Sequence, residues 1–482
     1  MPDTSTITGI VVSSALEQTG SFATSDTMLN KLQQNIVWGQ RGNFLSVPTD
    51  CPQRDERLGW TGDAQVFART AAFNMNVSGF FANWLVDMSL DQHADGSEPW
   101  VIPNPMGGDS TDKAGTAGWG DAAVIVPWTM YLAYGDRALL ARQYSGMRAW
   151  VEFERRQAGP SGVWRPGPQF GDWLAYHSTD AGYPGATTGT DFIATAYLAH
   201  SADLVSRAAG VLGLSAEEAR YAALFRAERA AFQREFVTAA GRVGENTQTA
   251  YALALQFDLL PDSLVASAGE RLVADLRLHG MHLTTGFLGT PNILDALVRT
   301  GHLSDAYALL EQRTYPSWLY PITRGATTMW ERWDGIEPDG TFEDPSMNSF
   351  NHYAFGAVGD WMYRTIAGIG IDPTAPAYEH ALIAPRPGGG LTHARGSIET
   401  PYGALASAWT LAGGKFTLDV TVPANTRATV TIPGAAVDAV RESGRALGGD
   451  DGVRSARQQG NDVVVEVGSG KYSFVAQRDA RR

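Results

Sequence analysis

The segment 50–63, DCPQRDERLGWTGD, holds four carboxylates and two arginines beside a tryptophan and the only cysteine of the chain. So many ionisable groups are costly to bury unless they are paired. Glu56 is the candidate proton donor of the segment. Nearby carboxylates and an apolar wall such as Trp60 would raise the pKa of Glu56, whereas arginines would lower it. A network of Asp–Arg pairs that braces the loop is the alternative, and the residues alone leave both interpretations open.

A second candidate carboxylate, Glu331, lies in the segment 325–335, GATTMWERWDG, between Trp330 and Trp333. In a sugar-binding cleft this arrangement would place a base or a nucleophile beside aromatic walls. The alternative is a Glu–Arg pair on a loop with buried tryptophans.

Two carboxylates in an aromatic cleft are the arrangement of a glycoside hydrolase. One carboxylic acid protonates the leaving oxygen, and the other carboxylate activates water or attacks the sugar. The sequence contains no HExxH, no CxxC pair, no EF-hand spacing and no GxSxG elbow. We therefore expect neither a metal site nor a cofactor.

Three further segments carry weaker signals. SFNHYAFGAVGDWMYR (349–364) places His352 at the start of a predicted helix, where a histidine is more often a capping or core-edge residue than a site residue. AGWGDAAVIVPW joins Trp119 to Asp121, and GPQFGDWLAYH joins Trp173 to Asp172. Neither pair is strong evidence by itself.

The elements that must position these residues are mainly helices. From about residue 25 to 370, apolar residues recur with the helical period in roughly twelve segments. Thr61 is a plausible N-cap for a helix that begins around Asp63, which would place Glu56 on the preceding loop. Long Gly/Pro-rich loops contain many of the tryptophans, unlike disordered linkers. This pattern predicts an (α/α)6 barrel whose loops line a pocket at one end.

The predicted helices cover about 25–40, 63–75, 78–93, 121–134, 137–157, 191–209, 215–236, 246–259, 263–278, 291–300, 303–313 and 347–368, and the long loops are 94–120, 159–190 and 315–346.

The pattern changes near Pro373, where apolar and polar residues begin to alternate with period two. We expect an antiparallel β-sandwich over 372–482, after a catalytic barrel over 25–371. The first 24 residues are predicted to be a linker with a short strand at 7–12.

Composition limits the possible partners. The net charge of −14 over 482 residues argues against nucleic acid or an anionic membrane, both of which require basic patches. It suits a neutral ligand such as a glycoside. One cysteine favours a reducing compartment. The chain has no run of 18 apolar residues and does not begin like a signal peptide, so we expect a cytoplasmic protein.

Five segments together resemble the signature segments of bacterial α-L-rhamnosidases, and the resemblance extends over about residues 7–478. In chain order they are DCPQRDERLGWTGDAQ, AGWGDAAVIVPW, TTGFLGT, YPSWLYPITRGATTMWERWD and SMNSFNHYAFGAVGDWMY. The first and fourth are long and unusual. The resemblance implies an (α/α)6 barrel that removes terminal α-L-rhamnose with inversion.

The resemblance also implies a role for each matching residue. Glu56 would be the general acid and Glu331 the general base that activates water, with their carboxyl groups roughly 6.5–9.5 Å apart as inversion requires. Asp50 and Asp63 would bind ring hydroxyls and help to keep Glu56 protonated. The other implied sugar-binding residues are Arg54, Trp60 and His352, with Trp119 and Trp173 as aromatic walls, one of them against the sugar's methyl group.

The sequence departs from the typical family pattern at its start. Typical members carry several β-domains before the barrel, sometimes with a calcium-dependent rhamnose-binding module, whereas only about 25 residues precede the first helix here. We therefore expect a minimal or truncated form with no need for calcium. Two alternatives remain open: another inverting (α/α)6 glycosidase or phosphorylase, and a non-catalytic carbohydrate binder.

Overall fold

The computed structural model describes residues 3, 6–105, 114–165, 167–176, 188–448 and 452–477, so parts of the loops 94–120 and 159–190 lie outside the described residues. Its α-helices are α1 (Thr27–Asn43), α2 (Thr61–Asn74), α3 (Ser78–Asp91), α4 (Ala122–Tyr134), α5 (Arg137–Ala158), α6 (Thr190–Leu212), α7 (Ser215–Phe236), α8 (Gln248–Gln256), α9 (Asp262–Leu278), α10 (Thr290–Arg299), α11 (Leu303–Leu310), α12 (Tyr320–Thr323) and α13 (Val358–Trp361). None of these helices is both long and apolar enough to cross a lipid bilayer.

Six helical members form a closed inner ring. Contacts run from α2 to α4, α6, α8 and α10, and then through the helical stretch 354–366, which includes α13, back to α2. Residues of α2, α4, α6 and α8 are buried almost all round, whereas α3, α5, α7 and α9 bury one face against this ring. The predicted (α/α)6 barrel is therefore confirmed. All-round burial requires helices that are apolar on every face, and α4 and α6 are rich in Ala, Val and Leu.

A β-sandwich follows the barrel, as predicted. Its strands are β4 (Ile369–Ile371), β5 (His380–Ile383), β6 (His393–Thr400), β7 (Gly403–Ala412), β8 (Lys415–Val422), β9 (Arg427–Ile432), β10 (Arg441–Glu442), β11 (Arg445–Ala446), β12 (Val453–Gln459), β13 (Asp462–Val467) and β14 (Gly470–Gln477), to which β1 (Gly20–Thr24) is added from the N-terminal side; the hairpin β2 (Phe44–Leu45) and β3 (Val47–Pro48) lies apart.

The sandwich consists of a seven-stranded sheet, β1-β6-β7-β8-β14-β10-β11, and a five-stranded sheet, β12-β13-β9-β5-β4. Alternate residues along β8 and β9 are buried, which is the period-two pattern that the sequence shows. One pair departs from the antiparallel expectation, because β5 and β9 run parallel. The sheet is tied to the barrel by Ser407 Oγ and Trp409 Nε1, which donate to the carbonyls of Ala367 and Ile366 at 2.6 and 2.7 Å.

Two local predictions are wrong. Residues 7–12 form no strand, and Ile10 and Val11 are largely exposed. The strand of this region is β1, which pairs antiparallel with β6, with Gly20 opposite Ile398. The helix predicted over 347–368 begins only at Ala354, as a 3-10 turn that passes into α13 and then into a π-helical turn ending at Ile366.

Candidate active site

One cavity lies at the end of the barrel where the inner helices begin. Asp63 is in the first turn of α2, Trp119 lies three residues before the start of α4, and Phe287 lies three residues before the start of α10. The lining residues are Asp50, Arg54, Glu56, Trp60, Asp63, Trp119, Phe170, Trp173, Phe287, Glu331, Met347 and His352. All nine predicted site residues therefore line a single cavity, although they come from five separate segments of the chain.

Backbone hydrogen bonds fix the loop that carries Glu56. The N–H of Asp50 donates to the Leu58 carbonyl at 3.0 Å, and the N–H of Leu58 donates back to Asp50 Oδ1 at 3.1 Å. Helix α2 begins at Thr61 rather than near Asp63, and Thr61 does not act as the predicted N-cap. Its N–H and hydroxyl both donate to the Trp100 carbonyl at 2.9 Å, which attaches the loop to a neighbouring segment.

Arg54 connects the two candidate catalytic carboxylates. Its Nε donates to Glu56 Oε2 at 2.7 Å, while Nη1 and Nη2 donate to Glu331 Oε2 and Oε1 at 2.7 and 3.0 Å. Glu331 is 2% exposed and so has almost no access to solvent. Because one guanidinium contacts both carboxylates, Glu56 and Glu331 face the same space.

The charge state of Glu56 differs from the one expected. Partial burial raises the pKa of Glu56, but the hydrogen bonds and positive charge of Arg54 and a 2.7 Å hydrogen bond from Trp60 Nε1 outweigh burial and lower it below its ordinary value. The expectation that Asp50 and Asp63 keep Glu56 protonated is therefore wrong for this arrangement. The lowering of the Glu56 pKa by an arginine, which the sequence also suggested, is the larger effect.

Asp50 has the properties that were expected of Glu56. Burial, with the nearby charges of Asp63 and Glu56, raises the pKa of Asp50 to about 7, although His352 opposes the shift. The Cys51 thiol donates to Asp50 Oδ2 at 2.8 Å. Ligand atoms of Asp50, Cys51 and Glu56 lie within 4.8 Å of one another, close enough to hold a metal ion. Because Arg54 and Trp60 already donate to Glu56, hydrogen bonds satisfy these atoms without an ion.

Asp63 and His352 form a buried pair in the same cavity. His352 Nε2 lies 3.1 Å from Asp63 Oδ1, and both side chains are at most 4% exposed. Burial lowers the pKa of His352, but the hydrogen bond and charge of Asp63, with the charges of Glu331 and Asp50, raise it to about 9. Burial raises the pKa of Asp63. The pair therefore places a cation near the carboxylates at neutral pH.

The neighbours of Glu331 in sequence do not surround it in the structure. Its N–H donates to the Ser349 carbonyl at 2.8 Å, which joins its loop to the segment that carries His352. Arg332 pairs with Asp334 and Glu343 rather than with Glu331. Trp330 and Trp333 are buried away from the cavity lining, so the expectation that they frame Glu331 is wrong.

The aromatic walls come from other segments. Trp119 and Trp173 line the cavity as placed by the sequence, but Phe170, Phe287 and Met347 also line it. The last three were missed because an apolar residue beside a stronger motif residue looks like ordinary core. The motifs GPQFGDWLAYH, TTGFLGT and SMNSFNHYAFGAVGDWMY do contain them.

Asp121 and Asp172 brace loops outside the cavity lining. Asp172 accepts the backbone N–H groups of Gly286, Leu288 and Gly289 at 2.8–3.0 Å and the hydroxyl of Thr249. It thereby joins the loop of Trp173 to the loop of Phe287. Asp121 accepts from the N–H of Gly118 at 2.7 Å and from Trp150 Nε1 at 3.2 Å, which holds the turn that carries Trp119.

Comparison with known families gives two matches that together cover most of the chain. Residues 17–366 match the bacterial alpha-L-rhamnosidase six-hairpin glycosidase domain, and residues 370–446 match the bacterial alpha-L-rhamnosidase C-terminal domain.

Individual proteins agree with the family matches. An alpha-L-rhamnosidase of Streptomyces avermitilis is 48% identical over 474 residues, which are 98% of this chain and 43% of the relative. The structure of a Streptomyces avermitilis alpha-L-rhamnosidase complexed with L-rhamnose superposes with a TM-score of 0.87 at 46% identity, over 96% of this chain and 42% of that one. An Aspergillus terreus alpha-L-rhamnosidase superposes with a TM-score of 0.88 at 39% identity, over 97% of this chain and 51% of that one. The chain thus spans about half or less of these relatives' length.

Proposed function

The chain belongs to the bacterial α-L-rhamnosidase family, and from this membership we propose that it hydrolyses terminal α-L-rhamnose from glycosides with inversion of configuration. The observation that carries the proposal is the contact of one guanidinium, that of Arg54, with the carboxylates of both Glu56 and Glu331. Two carboxyl groups that face one cavity, lined by aromatic rings, provide the acid and base that glycoside hydrolysis needs.

In this mechanism Glu331 is the general base. Its carboxyl group is buried and accepts hydrogen bonds from two N–H groups of Arg54. It accepts a proton from the water that attacks the anomeric carbon, on the side of the sugar opposite the leaving group.

Glu56 is the general acid and must carry a proton when the glycosidic bond breaks. The nearest store of a proton is Asp50, whose pKa is raised to about 7 by burial and whose carboxyl oxygen lies within 4.8 Å of Glu56. We assign the shared proton to this pair near neutral pH. The proton moves to Glu56 when the glycosidic oxygen takes the place of Arg54 beside the Glu56 carboxyl group. Glu56 then transfers the proton to the leaving group.

The remaining polar groups bind the sugar. Asp50, Asp63 and His352 hydrogen-bond the ring hydroxyls, and the indole rings of Trp119 and Trp173 cover the apolar side. L-Rhamnose is bound in the related Streptomyces avermitilis structure, and the same sugar is the proposed ligand of this cavity.

The first test is hydrolysis of p-nitrophenyl α-L-rhamnopyranoside, with the configuration of the released sugar followed by NMR. Initial formation of β-L-rhamnose is expected. Initial α-L-rhamnose would show retention and refute the proposed base role of Glu331. A folded chain that binds rhamnose but releases no nitrophenol would instead be a carbohydrate-binding protein.

The second test assigns the two glutamates. Glu56→Gln and Glu331→Gln should each fold normally and lose roughly 10²–10⁴-fold in kcat, the usual contribution of one acid or base group. Asp55→Asn is the matched control, because Asp55 is next to Glu56 but its side chain is fully exposed. If either glutamine variant retains wild-type turnover, the assignment of that glutamate is wrong.

A further inference from the structure

Ser349 joins the segment that carries the proposed base to the loop that carries the proposed acid. Its carbonyl accepts the backbone N–H of Glu331 at 2.8 Å. Its hydroxyl donates to Gln53 Oε1 at 2.9 Å and accepts the N–H of Asn351 at 3.1 Å. Ser349 is fully buried, whereas Gln53 is exposed. One serine therefore contacts both the main chain at Glu331 and the loop of residues 50–58.

A second backbone hydrogen bond fixes the base side of this connection. The N–H of His352 donates to the carbonyl of Met329 at 2.9 Å, two residues before Glu331. Together with the bond from Glu331 to Ser349, it pairs the main chains of the two segments. A displacement of Ser349 would therefore move Glu331 as well.

The acid side of the connection is equally short. Gln53 immediately precedes Arg54 in the chain, and the N–H of Glu56 donates to the Arg54 carbonyl at 2.8 Å. The contact at Gln53 therefore restrains the main chain in the turn that carries Glu56.

In the described part of the chain, two side chains of the loop 50–58 form hydrogen bonds or ion pairs with the two base segments. Arg54 contacts Glu331, and Gln53 contacts Ser349. The two contacts differ in what the reaction requires of them. Arg54 must give up its place beside Glu56 when the glycosidic oxygen enters. The bond between Gln53 and Ser349 involves no reacting group and no charge, so it can persist throughout the reaction.

We infer that Ser349 is a positioning residue that maintains the separation of Glu56 and Glu331 during the reaction; this inference rests on the proposed function. Ser349 does not line the cavity, so it acts through Gln53 and the main chain of Glu331. An inverting pair must stay roughly 6.5–9.5 Å apart to leave room for the attacking water. A misplacement of about 1 Å can lower the rate by about 10²-fold.

The experiment is a double-mutant cycle on the hydrolysis of p-nitrophenyl α-L-rhamnopyranoside. Gln53→Met keeps a long side chain but loses the acceptor oxygen, and Ser349→Ala loses the hydroxyl. Each should lower kcat roughly tenfold, as expected for a displacement of less than about 1 Å, and leave KM close to the wild-type value. The double variant should be no slower than the slower single variant, because both changes remove the same bond. Since Gln53 is exposed, Gln53→Met provides the test if Ser349→Ala does not fold.

Two comparisons separate positioning from other effects. Ser346→Ala is the matched control, because the exposed Ser346 hydroxyl donates to Asp344 Oδ1 within its own turn at 2.7 Å; its kcat should equal that of wild type. The pH profile of kcat/KM is the second readout. Because the bond between Gln53 and Ser349 carries no charge, both limbs of the profile should stay at the wild-type pH in Gln53→Met.

Three results would overturn the inference: wild-type kcat in Gln53→Met, single effects that multiply in the double variant, or a limb of the pH profile that moves. Each of them leaves the proposed function intact, since wild-type protein still hydrolyses the rhamnoside. A wild-type protein that hydrolyses no rhamnoside would refute the proposed function, and this inference with it.

Discussion

Replacement of Arg54 by glutamine tests the electrostatic organisation of the site most directly. The variant loses three hydrogen bonds from a cationic donor, one to Glu56 and two to Glu331. A charge-assisted bond contributes roughly 1.5–3 kcal/mol, and removal of one partner from a buried ion pair costs about 3–5 kcal/mol. Because the side chains of Arg54 and Glu56 are 18% and 25% exposed, solvent screens part of the loss, and we expect about 3 kcal/mol at pH 7.

The loss should depend on pH with a definite sign. Arg54 lowers the pKa of Glu56 below its ordinary value of 4.5, so the pairing stabilises the folded state above that pH and is lost as the pH falls through the folded-state value. The difference in unfolding free energy between wild type and Arg54→Gln should therefore be larger at pH 7 than at pH 4. Urea unfolding at the two pH values measures it.

Activity provides a second readout. Without Arg54 the pKa of Glu56 rises, so the alkaline limb of the kcat/KM profile should move to higher pH while the maximum falls by at least about 10²-fold. Arg57→Gln is the matched control, because Arg57 is on the same loop but is 56% exposed, and its ion pair within the described residues is with exposed Asp55. Its effect should be under about 0.5 kcal/mol. The reasoning fails if both variants lose similar stability, or if the alkaline limb stays in place.

Three further substitutions test separate contacts. In wild-type protein the free energy of unfolding should decrease by up to about 3 kcal/mol between pH 6.5 and 9, because the folded-state pKa of His352 is about 9 and its pairing with Asp63 is fully stabilising only below pH 6.5. His352→Gln should abolish this decrease, and urea unfolding across that pH range measures it. Gly62→Ala should raise KM for the rhamnoside at least tenfold with a smaller change in kcat, since its Cβ would force Trp119 to shift; an unchanged KM would exclude a close contact. Asp172→Ala should destabilise the protein by at least about 3 kcal/mol, because it leaves three backbone N–H groups without an acceptor; a loss under 1 kcal/mol in urea unfolding would contradict the bracing role.

The sequence predicted a helix or strand well where the residues within that element determine it. The predicted helix over 215–236 matches α7 at both ends, and the period-two pattern after Pro373 matches β8 and β9. Residues 7–12 have a strand-like composition but no partner strand, while β1 is defined by pairing with β6, whose residues are 370–378 positions away. Strand pairing over such a separation is not encoded in the segment itself.

The site shows the same division between local and tertiary information. Motif resemblance placed Glu56 and Glu331 on one cavity, but the residues between them could not show that Arg54 pairs with both. Likewise, Phe170 is one aromatic residue among many in the sequence, and only the fold places four tryptophans around it. The pKa directions of Glu56 and Asp50 follow from burial and from these tertiary pairs, which explains why the sequence assigned the raised value to the wrong carboxyl group.

The number of charges in the cavity explains why one carboxyl group must hold a proton. Four carboxylates, those of Asp50, Glu56, Asp63 and Glu331, face two cations, Arg54 and His352. Full ionisation would leave two uncompensated negative charges at a site where Asp50, Asp63 and Glu331 are each at most 3% exposed, and burial disfavours such charge. Protonation of one carboxyl group reduces this excess, and burial, which raises the pKa of Asp50 to about 7, favours Asp50 as the group that holds the proton. The density of carboxylates in residues 50–63 thus retains a proton near neutral pH within reach of Glu56, which is what a general acid requires.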